Sequence, residues 1–512
     1  MEGIILQDLF MKRIERHQFE LLKQLIYSRH GLTAQEIQAH LNISIHTVYR
    51  YQKQLSEDLM LLFENQSVTL KKIDGCYTVS IDKSLDTSYV IDKMHLHYIK
   101  ISQQFSVLHA VMYRYYTSAE ALAQEVNLSL SHTYKNLKIS NELLKPFDLA
   151  IDFSSKSAQT NFQGNEKNLR MVMFYSYWSI FKGIEWPFFR APQVFCDLPI
   201  PVKHDLLPPS QKIRLLYYQS LTYWQTIYRK RFVSLSEEFL AYLDCFEVVS
   251  PTTFPPEIKE LLHKNHVSKK QIHEEEAYFG FLARFYIANI DSIEEKQQIV
   301  ERLTNSQLPI TTFTSNFLTS FSHEFSIVLT EERYVSSYYH VIFNFLYIQF
   351  FGVNAPFTQL NDELPLLDTT TDALFENYKE QLAQFAYDQL HTTIFPTIRK
   401  DSALIEYLTK LLYLVLKNAT THHKLNILIQ YSKTAYGYDL IKNNLCIIFG
   451  KDALAFTFNE EEADIIISDA FEHELYSAEC KSHFFYFEYP YSAHTWRELI
   501  LFISTHLYSN FL

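Results

Sequence analysis

The chain has 512 residues, 47% of them apolar, enough for about three to five domains with cores of their own. Only 9 glycines occur in it and no GxGxxG, GxxxxGK(S/T) or GxSxG string, which argues against nucleotide-binding and hydrolase folds built on glycine-rich loops. Its 58 acidic against 46 basic side chains give a net charge of −12, yet residues 1–170 hold 19 Lys and Arg against 18 Asp and Glu, so the acidic surplus lies in the remainder. An acidic surface repels DNA phosphates, so this distribution is compatible with a nucleic-acid reader in the first third of the chain, though by itself it decides nothing.

That first third repeats itself. Residues 33–52 read TAQEIQAHLNISIHTVYRYQ, and 85 positions later residues 118–137 read SAEALAQEVNLSLSHTYKNL. Ala34, Asn42, Ser44 and Tyr49 recur as Ala119, Asn127, Ser129 and Tyr134; Ile37, Ile43 and Arg50 recur as Leu122, Leu128 and Lys135. Thr33 and Ser118 suit the N-cap of a short helix, Asn42 and Asn127 tolerate the turn that ends it, and Ser44 and Ser129 suit the next N-cap. In the second helix Val48, Tyr51, Leu55 and Leu59 form an apolar stripe, and the polar residues lie on other faces. Length and polarity are those of a helix-turn-helix, whose second helix enters the major groove. Ser44, His46, Thr47, Arg50 and Lys53 are the candidate DNA contacts of the first copy, and Ser129, Ser131, His132, Lys135 and Lys138 those of the second.

After the first copy, Val68 and Leu70, then Tyr77, Val79 and Ile81, alternate with polar residues around Asp74-Gly75, a strong hairpin signal. A hairpin placed after such a helix pair makes a winged unit, with Lys71 and Lys72 near its tip as candidate phosphate contacts. From residue 170 to about 400 large apolar residues recur three and four apart, broken at Pro187, Pro192, Pro208-Pro209, Pro251, Pro255-Pro256, Pro356 and Pro365. Two helical bundles of similar size are expected. In the last hundred residues the period changes: LNILIQ (425–430), Ala453 to Phe458, Ala463 to Asp469 and Phe484 to Tyr489 read as strands. Helices near Tyr438–Phe449 and from Ala493 alternate with them, which implies a small, mostly parallel α/β sheet. The expected chain is mainly α and multidomain, divided at 1–85, 86–169, 170–290, 291–405 and 406–512.

The five cysteines (Cys76, Cys196, Cys245, Cys446, Cys480) are odd in number, scattered and without a CxxC pair, a pattern of reduced thiols that suits the cytoplasm. The N-terminal stretch has no secretory pattern, and the most apolar segment, Val341 to Val353, holds Asn344 and Gln349 and is too short to span a bilayer.

This layout, with FQGNEKNLR (Phe162 to Arg170) at the junction between reader and bundles, resembles the Mga/AtxA type of virulence and carbohydrate-linked transcription regulators of Gram-positive bacteria. The resemblance implies two phosphotransferase-system regulation domains (PRDs) and an enzyme IIB-like C-terminal domain. It further implies an activator of double-stranded DNA targets, a homodimer or higher homo-oligomer, that answers to histidine phosphorylation by the phosphocarrier HPr or another phosphotransferase component. Adding about two negative charges to an interfacial imidazole repacks a helix interface. His204 in VKHDLL and His323 in FSHEF stand at the corresponding places, with His263, His266, His273, His340 and His391 next in order. The loop after the first C-terminal strand, Gln430 to Thr434, lacks the cysteine that carries phosphate in working enzyme IIB, so an interaction domain is expected there.

Three other readings compete with the regulator, the first a protein-interaction scaffold whose helix pairs bind only other protein and read no nucleic acid. His263, His266, His273 and Glu274 have a spacing that a zinc site could use. Paired PRDs also occur in RNA-binding antiterminators, but those readers begin with strands, whereas this chain begins with repeated helix pairs. No cofactor, metal or catalytic group is expected.

Overall fold

A computed structural model describes residues 10–28, 30–64, 67–154, 160–187, 207–247, 254–287, 290–351, 373–390, 402–419, 424–433, 436–451, 453–469, 483–487 and 492–509. The chain is mainly helical with a small C-terminal parallel sheet. It divides into two compact units, one made of residues 1–319, 334–362 and 390–404, the other of 320–333, 363–389 and 405–512.

The first unit begins with α1 (Arg13–Tyr27), α2 (Ala34–Leu41) and α3 (Ile45–Leu62), succeeded by the antiparallel pair β1 (Val68–Ile73) and β2 (Cys76–Ile81). The same sequence of elements then returns as α5 (Gln103–Tyr113), α6 (Ala119–Glu125), α7 (Leu130–Leu144), β3 (Ala150–Ile151) and β4 (Phe162–Gln163), with α4 (Thr87–Lys100) between the copies. The predicted stripe of α3 is its core face, since Val48, Tyr51, Leu55 and Leu59 are all buried. Asp74 and Gly75 turn the first hairpin at φ 49° and 86°, the positive values that a two-residue turn of this kind requires.

α8 (Glu166–Phe181) leaves β4 directly and runs without a break through the boundary expected at 169/170. The bundle around it contains α9 (Pro209–Tyr223), α10 (Glu237–Glu247), α11 (Pro256–Lys264) and α12 (Lys269–Tyr286). α9 and α11 begin on a proline, whose fixed φ suits a first helical position and whose missing N–H costs nothing there. α13 (Ile293–Ser306), α14 (Pro309–Glu324) and α15 (Glu331–Phe351) come next. Phe281 stacks on Phe343 and Phe351, and Phe285 on Tyr347, so the far end of α15 is packed onto α12. These aromatic residues at helical spacing are core, as burial of rings three and four apart predicts.

A guanidinium sits at the centre of this unit. Arg170 of α8 is fully buried and pairs through two nitrogens with Glu275 of α12, also fully buried; its Nε donates to Glu166 at 3.1 Å and one Nη to the Arg231 carbonyl at 2.8 Å. Glu275 accepts in addition from the Val233 amide at 2.7 Å. Every charge in the cluster is answered, the condition under which ions are tolerated in a core.

In the second unit, α16 (Ala373–Leu390) and α17 (Ser402–Ala419) are helical, with Phe375 of α16 edge-on to Tyr413 of α17. Beyond them β5 (Leu425–Gln430), β6 (Leu454–Thr457), β7 (Ile465–Ser468) and β8 (His483–Tyr486) form one parallel sheet in the order β6-β5-β7-β8. α18 (Gly437–Phe449) and α19 (Ala493–Ser509) cover it, burying Ile441, Leu445, Leu499 and Ile503 against Ile427, Ile429, Ile465 and Ile467. The four strands and two helices are those expected from the sequence.

Candidate nucleic-acid interface

The two helix pairs are built by the same local bonds. Thr33 Oγ1 accepts from the Glu36 amide at 3.2 Å while the Glu36 carboxylate accepts from the Thr33 amide at 2.7 Å, a reciprocal cap that starts α2. Ser118 starts α6 by accepting from Ala121 at 3.3 Å. Asn42 and Asn127 sit in left-handed backbone at φ 49° and 53°. Ser44 then accepts from the Thr47 amide at 3.2 Å and Ser129 from the His132 amide at 3.3 Å, which starts α3 and α7. The turns even close through matching amides, Ile43 to the Gln38 carbonyl and Leu128 to the Ala123 carbonyl, at 3.3 and 3.0 Å.

The exposed residues fall into register in the same way. In α3, His46, Tyr49, Arg50 and Lys53 are exposed; in α7, Ser131, Tyr134, Lys135 and Lys138 are exposed at the same positions. The spacing i, i+3, i+4, i+7 puts each set on one helix face. His132 is also exposed, whereas Thr47 is half-buried and shares its hydroxyl with Ser44 at 2.9 Å. Ser44 and Ser129 therefore have a structural task as caps, and their place at the helix N-terminus directs backbone N–H groups outward, where a phosphate is stabilised. Lys53 also lies 3.9 Å from Glu57, a solvated pair of little energetic weight.

Lys71 and Lys72 are exposed on β1 but point to opposite faces, because successive strand side chains alternate. Lys71 donates to Ser80 at 3.3 Å, and Lys72 lies over the Tyr77 ring at 5.1 Å. The hairpin is anchored to the helix pair by Leu32, which exchanges backbone hydrogen bonds with Tyr77 at 3.0 and 2.8 Å. Gly31 makes that approach possible: at φ 74°, a Cβ there would lie 2.5 Å from Thr78 Cγ2 and 2.7 Å from the Tyr77 carbonyl oxygen.

A second wing is present that the residue pattern does not signal. β3 and β4 are only two residues each and carry no Asn-Gly or Asp-Gly turn, so neither alternation nor turn chemistry marks them. The counterpart of the Leu32 bridge is a side chain: Asn161 accepts from the Tyr116 amide and donates to the Tyr116 carbonyl, both at 2.8 Å. Each copy is thus followed by an antiparallel strand pair. The first reader is tied to α4 by Tyr98, whose hydroxyl donates to the Asp58 carboxylate of α3 at 3.0 Å.

Beside the second reader lies a cleft of about 540 Å³ along α5, lined by Phe105, His109, Tyr113 and Phe181. Its charged residues pair with each other, Lys100 with Glu185 at 2.6 Å and Arg114 with Glu125 at 3.3 Å, half-exposed pairs of little energetic weight.

The expected phosphorylation sites fare differently. His204 and His391 lie outside the described residues, and His323 is exposed in the last turn of α14. Of the alternative metal set, His263 and His266 are exposed, His273 lies 3.1 Å from Asp244 and Glu274 3.9 Å from Lys270; among the described residues no group of three or more potential ligands converges. In the C-terminal sheet, the loop after β5 is occupied from within. The Asp469 carboxylate accepts from the Ser432 amide at 2.9 Å, the Ser432 hydroxyl at 3.0 Å and the Lys433 amide at 2.9 Å. No helix among the described residues is long and apolar enough to cross a membrane.

Residues 88–178 match the family model of the Mga helix-turn-helix domain. The match runs from Ser88 in α4 to Trp178 in α8, so it takes in the whole second reader with its wing and continues into the first helix of the bundle. No curated protein matches the chain.

Proposed function

From a chain of the Mga regulator type, which carries that family's helix-turn-helix domain over residues 88–178, we propose a regulator that grips double-stranded DNA through two winged readers at once. The observation that carries the reading is the coincidence of the two copies in caps, left-handed turn, exposed face and wing. His46, Arg50 and Lys53, with Ser131, His132, Lys135 and Lys138, meet base edges and adjacent phosphates; the Ser44 and Ser129 helix ends and one lysine of the first wing meet phosphates. A net charge of +1 over the first 170 residues supports modest affinity per reader, and two linked readers raise it by effective concentration.

The bundles act in this proposal as PRDs. His323, exposed, and His204 are the phosphorylation candidates, with HPr or another phosphotransferase component as donor. The bundles would pass that signal to the readers through α8, which follows the second reader directly and lies in the first bundle. The C-terminal sheet is an interaction domain of enzyme IIB type, with homodimerisation as its task, since its first loop holds Asp469 where a working enzyme needs a free anion site. Location in the cytoplasm belongs to the same reading.

The experiment is a mobility-shift titration of the full chain on its own upstream DNA and on unrelated DNA at two salt concentrations, with Arg50→Ala, Lys135→Ala and the double variant. Each substitution should weaken binding and reduce the salt slope by about one. Unchanged affinity in all three variants would reject the assignment.

A further inference from the structure

The exposed face of each reading helix contains an aromatic ring that the proposed function leaves without a role. Tyr49 of α3 is 50% exposed and Tyr134 of α7 is 54% exposed. They occupy the same position of the repeat, one and a half turns into each helix and one residue before Arg50 and Lys135. Among the described residues neither ring stacks on another and neither hydroxyl has a partner. Tyr98, Tyr217, Tyr218, Tyr242, Tyr278 and Tyr338 are among the chain's largest fully buried side chains, while Tyr27, Tyr436 and Tyr486 are exposed as well, none of them on a reading helix. A half-exposed ring costs apolar hydration wherever it is not covered, and here the same uncovered ring is placed twice, on the face that also holds the exposed cations Arg50 and Lys53 or Lys135 and Lys138.

We propose that Tyr49 and Tyr134 are specificity-determining residues that pack against thymine C5-methyl groups in the major groove, so that the sites read by this protein contain thymine under each ring. The inference rests on the DNA-reading function above. Position selects the ligand: the N-terminal part of a reading helix faces base edges, and thymine is the base that presents a methyl group there. Chemistry agrees, because a ring with no polar partner beside it gains by covering a methyl, while the flanking Arg50 or Lys135 takes the phosphate or a guanine edge. A phosphate contact by the tyrosine hydroxyl is the competing use of the same side chain, and it would carry no thymine preference.

The test is a cycle between protein and base. A binding fragment is enriched from random-sequence DNA with the full chain, then remade with deoxyuridine in place of thymidine, which removes only the methyl. Wild type, Tyr49→Ala, Tyr134→Ala and the two Tyr→Phe variants are titrated on both versions, with Arg50→Ala as the control for DNA reading and a thermal melt of each variant as the control for folding. Wild type should lose roughly fourfold in affinity for each contacted thymine, the fold-change that ~0.8 kcal/mol for one buried methyl corresponds to. The Ala variants should bind the thymine fragment that much more weakly and ignore deoxyuridine at the sites of their own reader, and the Phe variants should behave as wild type. If the Ala variants distinguish thymine from deoxyuridine as wild type does while Arg50→Ala weakens binding, the inference fails and the DNA-reading function stands. Phe variants as weak as the Ala variants assign the hydroxyl to phosphate and overturn the inference as well. Absence of any enriched, salt-sensitive fragment overturns both.

Discussion

The side-chain amide of Asn161 stands in for a strand: it accepts from the Tyr116 N–H and donates to the Tyr116 carbonyl, both at 2.8 Å, the exchange that Leu32 and Tyr77 make through backbone alone in the first reader. Both residues are buried, so the two bonds answer groups that have no access to water. Asn161→Ala leaves the Tyr116 amide and carbonyl unmatched and should destabilise the second wing by about 1–3 kcal/mol. Urea unfolding of the full chain checks it, with Asn161→Asp, which accepts but cannot donate, falling below wild type too. A midpoint unchanged by both substitutions would show that the pair does not hold the wing.

Gly31 is the corresponding weak point of the first reader. A methyl group there meets Thr78 and the Tyr77 carbonyl, and φ is positive at 74°. Gly31→Ala should cost more than about 1 kcal/mol, the penalty of left-handed backbone with a Cβ added to that of the clash. Gly75, also at positive φ but with open space around it, should tolerate alanine better. Equal melting temperatures for the two variants would contradict this assignment.

Acid should loosen the readers before it touches carboxylates. Burial, with the Lys182 and Lys23 charges adding to it, pushes the His95 imidazole down to about 3, and burial and Lys100 push His109 down to about 4. An unfolded histidine titrates near 6.5, so between that pH and the depressed folded values the unfolded state binds protons that the folded state refuses. Stability is therefore full above pH ~6.5 and falls as pH drops toward 4, by about 1.4 kcal/mol per pH unit for buried His95. His95→Leu should flatten the dependence measured by urea midpoints from pH 7 to 5; an identical slope in the variant would assign the loss elsewhere.

Glu275 and Arg170 are ions in a core, and the cost of removing one is set by the other. Glu275→Gln should destabilise the first unit by about 3–5 kcal/mol, because a guanidinium cannot shed its charge. The double variant Arg170→Met with Glu275→Leu should be more stable than either single variant, since no unmatched charge remains between those two positions. Calorimetry of the three variants reads the order directly.

Asp469 answers two amides and a hydroxyl of the loop after β5. Burial alone would raise its pKa, but the hydrogen bonds from Ser432 and Lys433 outweigh burial and lower it. A depressed carboxylate contributes stability above its unfolded pKa of ~3.9 that disappears as pH falls through the folded value. Asp469→Ala should cost the C-terminal sheet about 1–3 kcal/mol at neutral pH, seen as earlier protease cleavage within residues 405–512.

Much of the fold is legible in residue order because it is local. Caps, left-handed Asn turns and the Asp74-Gly75 hairpin depend on groups within a few positions of one another, and Val48, Tyr51, Leu55 and Leu59 announce a buried face by spacing alone. The same holds for the four C-terminal strands, whose apolar runs are bounded by turn residues. The second wing was not legible: two-residue strands carry no period, and the residue that replaces the missing ladder, Asn161, lies 45 positions from its partner. Nor were the pairings of the middle helices, since the aromatic residues along α12 and α15 do not by their spacing say which helix each will meet.

The sequence by itself determined that this protein carries two helix pairs of one design with basic residues on the outer face of each second helix, because short-range hydrogen bonds and a 3.6-residue period need nothing beyond the segment. Only the tertiary structure decided that the second carries a strand pair as the first does, that α8 joins the second reader to the bundle and that Arg170 is buried against Glu275 at a separation of 105 residues. Those outcomes depend on which surfaces exclude water together, and that is a property of the packed chain rather than of any stretch of it.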